Sequence, residues 1–335
     1  MTPVRVAVWG VGAWGEKHAR VYAALPEAEL TGVYDRDPAR GQAVAARHGV
    51  RAFASPEAML AACEAVSIAV PTVAHREALE QAAAAGRHAL VEKPLAATVA
   101  DADAMLAAAR RGGIRLQVGH VERFNPALIA ARPHIRAPKF IEAHRLALFQ
   151  PRSLDIDVVF DLMIHDLDAV LAAVGAAPTQ VSAVGVAVLS ENEDIANARL
   201  EFADGCVANL TASRVSQDRL RRIRFFQGDS YLSVDLLEKA GELLRVGGGA
   251  GPNDGAVPAM TLPPGFPVIR RSRLEVGPGE PLALELQAFL ASIRGQGEGA
   301  PSGEAGREAL RVAADVRAAM KDRARQWIRE TSSAS

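Results

Sequence analysis

Val4–Gly15 reads VRVAVWGVGAWG. Apolar residues alternate through Val4, Val6 and Val8, the period of a strand, and the run stops at Gly10-Val11-Gly12-Ala13-Trp14-Gly15. Beyond it, Glu16–Leu25 has the pattern of a helix. A G-x-G-x-x-G between strand and helix has a mechanical reason. Gly10 allows a tight turn, Gly12 admits a pyrophosphate close to the backbone, and Gly15 lets the helix pack on the strand. The helix start, Ala13 and Trp14 included, then offers N–H groups and the positive end of the helix dipole to phosphate. Alone, the motif is weak. It gains force from a second apolar run, Leu30–Tyr34, which ends in Asp35. That is about twenty residues past the glycines, where an acid bonds a ribose diol. A carboxylate about 4 Å from a 2′-phosphate repels it by roughly 1–4 kcal/mol, which favours NAD over NADP. Arg36 and Arg40 act in the opposite sense.

Strand and helix patterns alternate onward to Val118. The strand-like runs are Val4–Trp9, Glu29–Tyr34, Ala65–Val70, His88–Val91 and Arg115–Val118. The helix-like runs are Glu16–Leu25, Pro38–His48, Pro56–Ala62, Ala74–Ala85 and Val99–Arg110, the last opened by a capping box at Thr98 and Asp101. Such alternation predicts an α/β, doubly wound parallel sheet of Rossmann type over residues 1–121. Ligands bind such sheets at the carboxyl ends of the strands. The residues that matter are therefore Gly10–Gly15, Asp35-Arg36, Pro71-Thr72, Glu92-Lys93-Pro94 and Gly119-His120. Lys93 stands where a nicotinamide would lie; the plainer reading is a surface lysine in a loop.

The chain has 335 residues, which suggests two domains. Its formal net charge is −1, which gives no basic surface for nucleic acid or an acidic membrane. No apolar stretch is long enough to span a bilayer. Cys63 and Cys206, the only cysteines, read as buried free thiols in a reducing compartment. The chain opens directly into a strand with no leader-like segment, so a cytoplasmic location is expected.

Residues 122–335 change character and predict an α+β substrate-binding and oligomerisation domain. Arg123 has the chemistry to clamp a phosphate or carboxylate, or to pair with Glu122 in solvent, and Pro126 has the chemistry to start a helix. Asp155–Val174 is a strongly apolar helix pattern that nevertheless carries Asp157, Asp161, His165 and Asp168 at one-face spacing. A solvated stripe is the plain reading. A histidine beside a carboxylate on a mostly buried helix is the functional one, an acid–base site and not a metal centre. Strand-like runs follow at Val181–Leu189, Ile195–Phe202, Cys206–Arg214, Arg221–Gly228 and Tyr231–Leu236, with hairpin signals between neighbours. They predict a large open, mostly antiparallel sheet whose bare face a second subunit covers, as a homodimer or homotetramer. Gly247–Gly265 is a Gly/Pro-rich loop pattern, and helices Pro281–Arg294 and Ser302–Arg329 close the chain, the last expected to pack back on the first domain.

Taken together, the glycine fingerprint, Pro71-Thr72 with His75, Glu92-Lys93-Pro94 and Asp161-x-x-x-His165 resemble the Gfo/Idh/MocA oxidoreductases over essentially the whole length. GHVERFNPA (Gly119–Ala127), DIDVVFDLMIHDLD (Asp155–Asp168) and EPLALELQAFL (Glu280–Leu290) look like the branch acting on UDP-sugars, UDP-N-acetylglucosamine 3-dehydrogenases among them. The resemblance implies NAD-dependent oxidation of a C3 hydroxyl, with Lys93, Asp161 and His165 as the catalytic trio. Arg123, Asn125 and Arg152 become substrate contacts beside His165. The product would pass to an aminotransferase in lipid A synthesis. UDP-N-acetylglucuronate is the rival substrate. Rival activities are glycoside hydrolysis through transient oxidation and a non-catalytic NAD-binding regulator. Of the two candidate bases, an ordinary lysine needs its pKa lowered by about three units, roughly 4 kcal/mol, to work near neutral pH. An imidazole starts close to it, so His165 is the expected base and Lys93 the group that orients the substrate oxygen.

Overall fold

The computed structural model describes residues 2–151, 156–247, 257–258, 267–296 and 301–333. The chain divides into two compact units, Met1–Phe124 with Gly279–Leu310, and Asn125–Pro278 with Arg311–Ser335.

The first unit begins with β1 (Val4–Trp9), α1 (Ala13–Ala24), β2 (Ala28–Tyr34), α2 (Pro38–His48), β3 (Arg51–Ala52), α3 (Pro56–Ala62) and β4 (Ala65–Ile68). It continues through α4 (His75–Ala84), β5 (His88–Glu92), α5 (Val99–Arg111) and β6 (Leu116–Gly119). The strands form one sheet in the order β3-β2-β1-β4-β5-β6, every pairing parallel. Strand order reverses between β1 and β4, the topological switch point at which such sheets bind ligands. Local chemistry starts the helices. Asp37 caps α2 by accepting from Ala39 and Arg40, and Ser55 caps α3, each with a proline in the first turn. Thr98 Oγ1 accepts from the Asp101 amide at 3.1 Å and opens α5. Each cap contributes about 1 kcal/mol.

The second unit holds α6 (Pro126–Ala131), β7 (Phe140–Leu146), a π turn (Val159–Met163) running into α7 (Ile164–Val174), and strands β8 (Pro178–Val186), β9 (Ile195–Phe202), β10 (Val207–Ser213), β11 (Leu220–Phe226), β12 (Ser230–Asp235), β13 (Ala240–Val246), β14 (Val257–Pro258) and β15 (Ile269–Arg273). The sheet order is β14-β15-β13-β12-β11-β7-β10-β9-β8, antiparallel except for the β7–β10 pair. On β7, β9 and β11 alternate residues are buried: Ile141, Ala143, Ala196, Ala198, Leu200, Ile223 and Phe225 face the core. The opposite face carries an aromatic cluster of Phe140, Phe226 and Tyr231, with ring centroids 5.4 and 4.9 Å apart. It also carries cross-strand ion pairs, Arg224 with Glu142 at 3.2 Å and Arg222 with Asp235 at 2.8 Å.

Two helices follow, α8 (Pro281–Ile293) and α9 (Gly303–Ser333). Helix α8 belongs to the first unit, where Leu282, Leu286, Phe289 and Leu290 join Val6, Val8, Tyr22 and Val33 in its core. Helix α9 gives its opening turns, to Leu310, to the first unit and the remainder to the second. The sequence divides at residue 121 with its last helix expected to pack back on the first domain, and α8 carries no such expectation. The boundary falls at Phe124, and residues 279–310 rejoin the nucleotide-binding half because their apolar face completes its core. Among the described residues no helix is long and apolar enough to cross a membrane.

Candidate active site

In the first unit, the three glycines of the β1–α1 loop differ in what constrains them. Gly10 has φ +84°, and a Cβ there would meet the Ala69 backbone at 2.9 Å. A Cβ on Gly15 would lie 1.8 Å from the Gly10 carbonyl. A Cβ on Gly12 would meet nothing within 4 Å. The fold itself therefore demands glycine at two of the positions, while Gly12 opens onto the free space that a pyrophosphate fills at a helix start. Trp14, at the head of α1, is 39% exposed, with the Lys17 ammonium 4.4 Å from its ring centroid.

Asp35 ends β2 as expected, and its carboxylate has a structural job as well. Oδ2 accepts from the Val11 amide at 2.8 Å, and Oδ1 accepts from the Asp37 amide at 2.9 Å. Each oxygen keeps a lone pair for a ribose hydroxyl. Arg36 is exposed, and Arg40 stands 3.6 Å from Asp35. The loop thus fits NAD: a phosphate cradle on one side and an acceptor for the diol on the other.

Past β4, Pro71 leads into the short turn Thr72–Ala74, and His75 follows at 1% exposure. Its Nε2 lies 2.9 Å from the Val70 carbonyl, and its Nδ1 lies 3.1 and 3.2 Å from the carbonyls of Pro94 and Leu95. Burial lowers its pKa against the opposing pull of those carbonyls, so the neutral ring ties the loop after β4 to the Lys93-Pro94 turn. The Lys93–Pro94 bond is cis, and Lys93 is half-buried. Glu92 accepts from the Lys93 amide at 3.2 Å and pairs with His18 Nε2 at 2.9 Å. Burial would raise the Glu92 pKa; the bond and charge of His18, with Lys93, outweigh it and lower the value. His18 was not singled out in the sequence. The available signal was a polar residue on the α1 face that also buries Ala19 and Tyr22.

Arg123 is half-buried in the turn Val121–Phe124, the last of the first unit's opening segment. Asn125 is 3% exposed and spends its side chain on structure: Oδ1 caps α6 at the Ala127 amide, and the amide group donates to the Leu236 carbonyl at 2.9 Å. Each end of the amide keeps further capacity, one N–H and one oxygen lone pair, beside these structural bonds. Arg152 and Asp155 lie outside the described residues.

In the second unit, the Asp155–Val174 stretch is not one even α-helix. It begins as a π turn, in which the Ile164 amide reaches the Val159 carbonyl, and Asp161 sits inside that turn. Single π turns widen a helix and recur at functional sites. Asp157 is not part of an acidic stripe with Asp161. It is 5% exposed and accepts from the amides of Val159 and Phe160 at 3.0 and 3.1 Å, as an N-terminal cap. Burial raises its pKa. Asp161 and His165 are half-buried, whereas Asp168 is 1% exposed. Asp166, absent from the sequence reading, forms a buried two-point pair with Arg145 of β7 at 2.8 and 2.9 Å and pins α7 to the sheet.

Asp161 lines a cleft of about 170 Å³ together with Gln150, Leu162, Arg214, Arg219 and Arg221. Arg214 is fully used: it bonds Asp194 at 2.8 Å, the Ile156 carbonyl at 2.8 Å and Ser190 at 2.9 Å. Among the described residues no group of three or more His, Cys, Asp or Glu side chains is placed to hold a metal ion.

Residues 4–120 match the family described as an oxidoreductase family with an NAD-binding Rossmann fold. Residues 102–228 match the Gfo/Idh/MocA C-terminal domain. The chain is 41% identical to UDP-N-acetylglucosamine 3-dehydrogenase of Acidithiobacillus ferrooxidans, over 96% of this chain and 98% of that one. A solved structure of that enzyme superposes with a TM-score of 0.87 at 40% identity, over 96% of this chain and 99% of the other. The inositol 2-dehydrogenase of Rhizobium meliloti is 27% identical, over 92% of this chain and 94% of that one.

Proposed function

Because the chain belongs to the Gfo/Idh/MocA oxidoreductases and is an NAD-dependent dehydrogenase, we propose that it oxidises the C3 hydroxyl of a UDP-sugar, UDP-N-acetylglucosamine before its uronate. The near full-length identity with the Acidithiobacillus ferrooxidans enzyme carries the choice of substrate. NAD, held by Gly10–Gly15 and Asp35, supplies the hydride acceptor. His165 takes the hydroxyl proton, since a free imidazole titrates near neutral pH. Asp161, inside the π turn, steadies the charge that the imidazole gains. Lys93 donates to the substrate oxygen and orients it, and the His75 and Glu92 contacts hold the backbone of the Lys93-Pro94 turn. Arg123 is a further substrate contact. A 3-keto product of this kind is what an aminotransferase consumes, as in lipid A synthesis in the cytoplasm.

The same reading includes a homodimer or homotetramer through the second unit's sheet. The Phe140–Phe226–Tyr231 cluster and its flanking Arg224–Glu142 and Arg222–Asp235 pairs form an aromatic centre with a charged surround, the composition of a subunit interface. Sedimentation of the purified chain tests it; a monomer at micromolar concentration removes it.

The deciding assay incubates the protein with NAD and a panel of UDP-sugars, follows NADH, and draws off the keto product with an aminotransferase. His165→Ala and Lys93→Met should each lower turnover about 10²–10⁴-fold with NAD affinity unchanged. Normal turnover in His165→Ala removes the base assignment. Absence of NADH with every UDP-sugar removes the substrate class.

A further inference from the structure

Helix α9 makes a contact that the catalytic reading does not use. From Arg311 onward it belongs to the second unit, where Ala313, Val316 and Met320 are buried at helical spacing. It lies close on β8, since a Cβ at Gly185 would meet Met320 Sδ at 2.6 Å. Arg317 stands at the rim of that buried face, its side chain 43% exposed. A solvated arginine is ordinary on a helix surface, but this one reaches over the π turn. Its guanidinium carbon lies 4.6 Å from the centroid of the Phe160 ring, and Nη1 stands 4.0 Å from Asp157 Oδ2.

Both contacts fall on the residues that fix where Asp161 sits. Asp157 Oδ1 accepts from the amides of Val159 and Phe160, and the Asp157 carbonyl accepts from the Asp161 amide at 3.2 Å. The other carboxylate oxygen is the one that faces Arg317. Burial raises the Asp157 pKa and Glu193 adds to the rise, while the Phe160 and Val159 amides and the Arg317 charge oppose it. An ionised carboxylate accepts amide bonds more strongly than a neutral acid, so the cation beside it supports the cap. Phe160 is 7% exposed, and its ring face attracts the guanidinium through the aromatic quadrupole. A π turn carries one residue more than an α turn and bonds less well, so the chain has an alternative in which that extra residue is passed along the helix. Passing it rotates Asp161 by about 100° relative to His165.

We propose that Arg317 is a positioning residue for the acid–base pair: by clasping Asp157 and Phe160 from the closing helix, it holds the π turn in the register that presents Asp161 and His165 together. This assignment rests on the roles given above to Asp161 and His165 and adds the side chain that sets their geometry.

The experiment compares the full-length wild type with Arg317→Met, Arg317→Gln and Arg317→Lys, and with Arg325→Met, an exposed position further along the same helix, as the control. Kinetics with NAD and a UDP-sugar give kcat and KM, and hydrogen exchange read by mass spectrometry gives the opening of residues 157–165 with no substrate present. The expected result in both uncharged variants is kcat lowered about 10–100-fold, with KM for each substrate within about twofold of wild type. Exchange in the π turn should be about tenfold faster while the rest of the second unit keeps its protection. Arg317→Lys, which keeps the cation, should recover most of both quantities, and Arg325→Met should match the wild type. A general loosening of the fold would instead raise KM and spread the exchange through α9 and the sheet. Arg317→Gln, which keeps a polar tip, reports even where Arg317→Met fails to fold. With an active wild type, the proposal is overturned by unchanged kcat or unchanged exchange in the uncharged variants, and equally by Arg317→Lys as impaired as Arg317→Met. If the wild type oxidises no UDP-sugar yet exchange in the turn rises only in the uncharged variants, the clasp stands and the catalytic reading falls. Oxidation of a UDP-sugar by Arg317→Met at the full wild-type rate gives the reverse outcome.

Discussion

Replacing Gly12 by alanine separates the demands of the fold from those of the cofactor. The backbone at Gly12 has φ −69° and ψ −162°, an extended conformation open to alanine. The added Cβ meets no atom of the protein within 4 Å. With no clash and no strain, Gly12→Ala should leave the fold intact or stabilise it by about 0.4–1 kcal/mol, since alanine narrows the unfolded ensemble. The melting temperature then stays level or rises by roughly 1–4 °C. The methyl group does occupy the space in which phosphate oxygens approach the helix start. Losing one charge-assisted N–H to phosphate bond costs about 1.5–3 kcal/mol, and NAD affinity should fall roughly 10- to 150-fold. Gly15→Ala is the control with the opposite signature, because its Cβ would sit 1.8 Å from the Gly10 carbonyl. It should lower the melting temperature outright. Calorimetry with NAD and a thermal melt read both quantities on each variant. Unchanged NAD affinity in Gly12→Ala, with the protein folded, would refute the phosphate-cradle reasoning.

Three further outcomes follow from particular contacts. Asp35→Asn keeps an oxygen for the Val11 amide but removes the charge, so preference for NAD over NADP should shrink by about one to three decades; paired titrations of the two cofactors measure it, and an unaltered ratio counts against the ribose role. Burial alone would raise the Asp194 pKa, but bonds from the Leu189 and Val188 amides, Arg214 and Ser190 hold the carboxyl well below its ordinary range. Its contribution is therefore complete above the unfolded pKa of about 3.9 and fades as pH falls through the lower folded value. Asp194→Asn should cost about 3–5 kcal/mol at neutral pH by leaving Arg214 buried without its partner, with the difference from wild type narrowing below about pH 4 in denaturant melts. Burial pushes both cysteine thiols up to about 11. A thiol reagent at pH 8 then finds about one thiolate in a thousand, and labelling should await unfolding; fast labelling of the native protein contradicts the burial.

Short-range chemistry was enough to read the opening segment of the first unit. Glycines that the backbone requires, strands of period two, and caps at Asp37, Ser55 and Thr98 all act within a few residues, and each points to the same parallel sheet. The candidate residues at strand ends, Asp35 and Glu92-Lys93, follow from the same logic, because chain direction in a parallel sheet places all carboxyl ends together. The second unit was legible only in part. β7, which reads FIEAHRL, lacks a clean apolar face because Arg145 occupies a core position, and only its pairing with Asp166, twenty-one residues on, makes that tolerable. β13 and β15 went unread, their patterns interrupted by Glu242, Arg271 and Arg273.

The sequence by itself determined the dinucleotide fold, the family and the residue types that carry the chemistry. The tertiary structure decided which polar groups the fold consumes and which line a cleft. Asp157 and Asn125 became caps and Asp166 became an anchor, while the π turn set Asp161 into a cleft with Arg219 and Arg221. The reason is that a buried polar group must find a partner, and that partner can come from any distance along the chain.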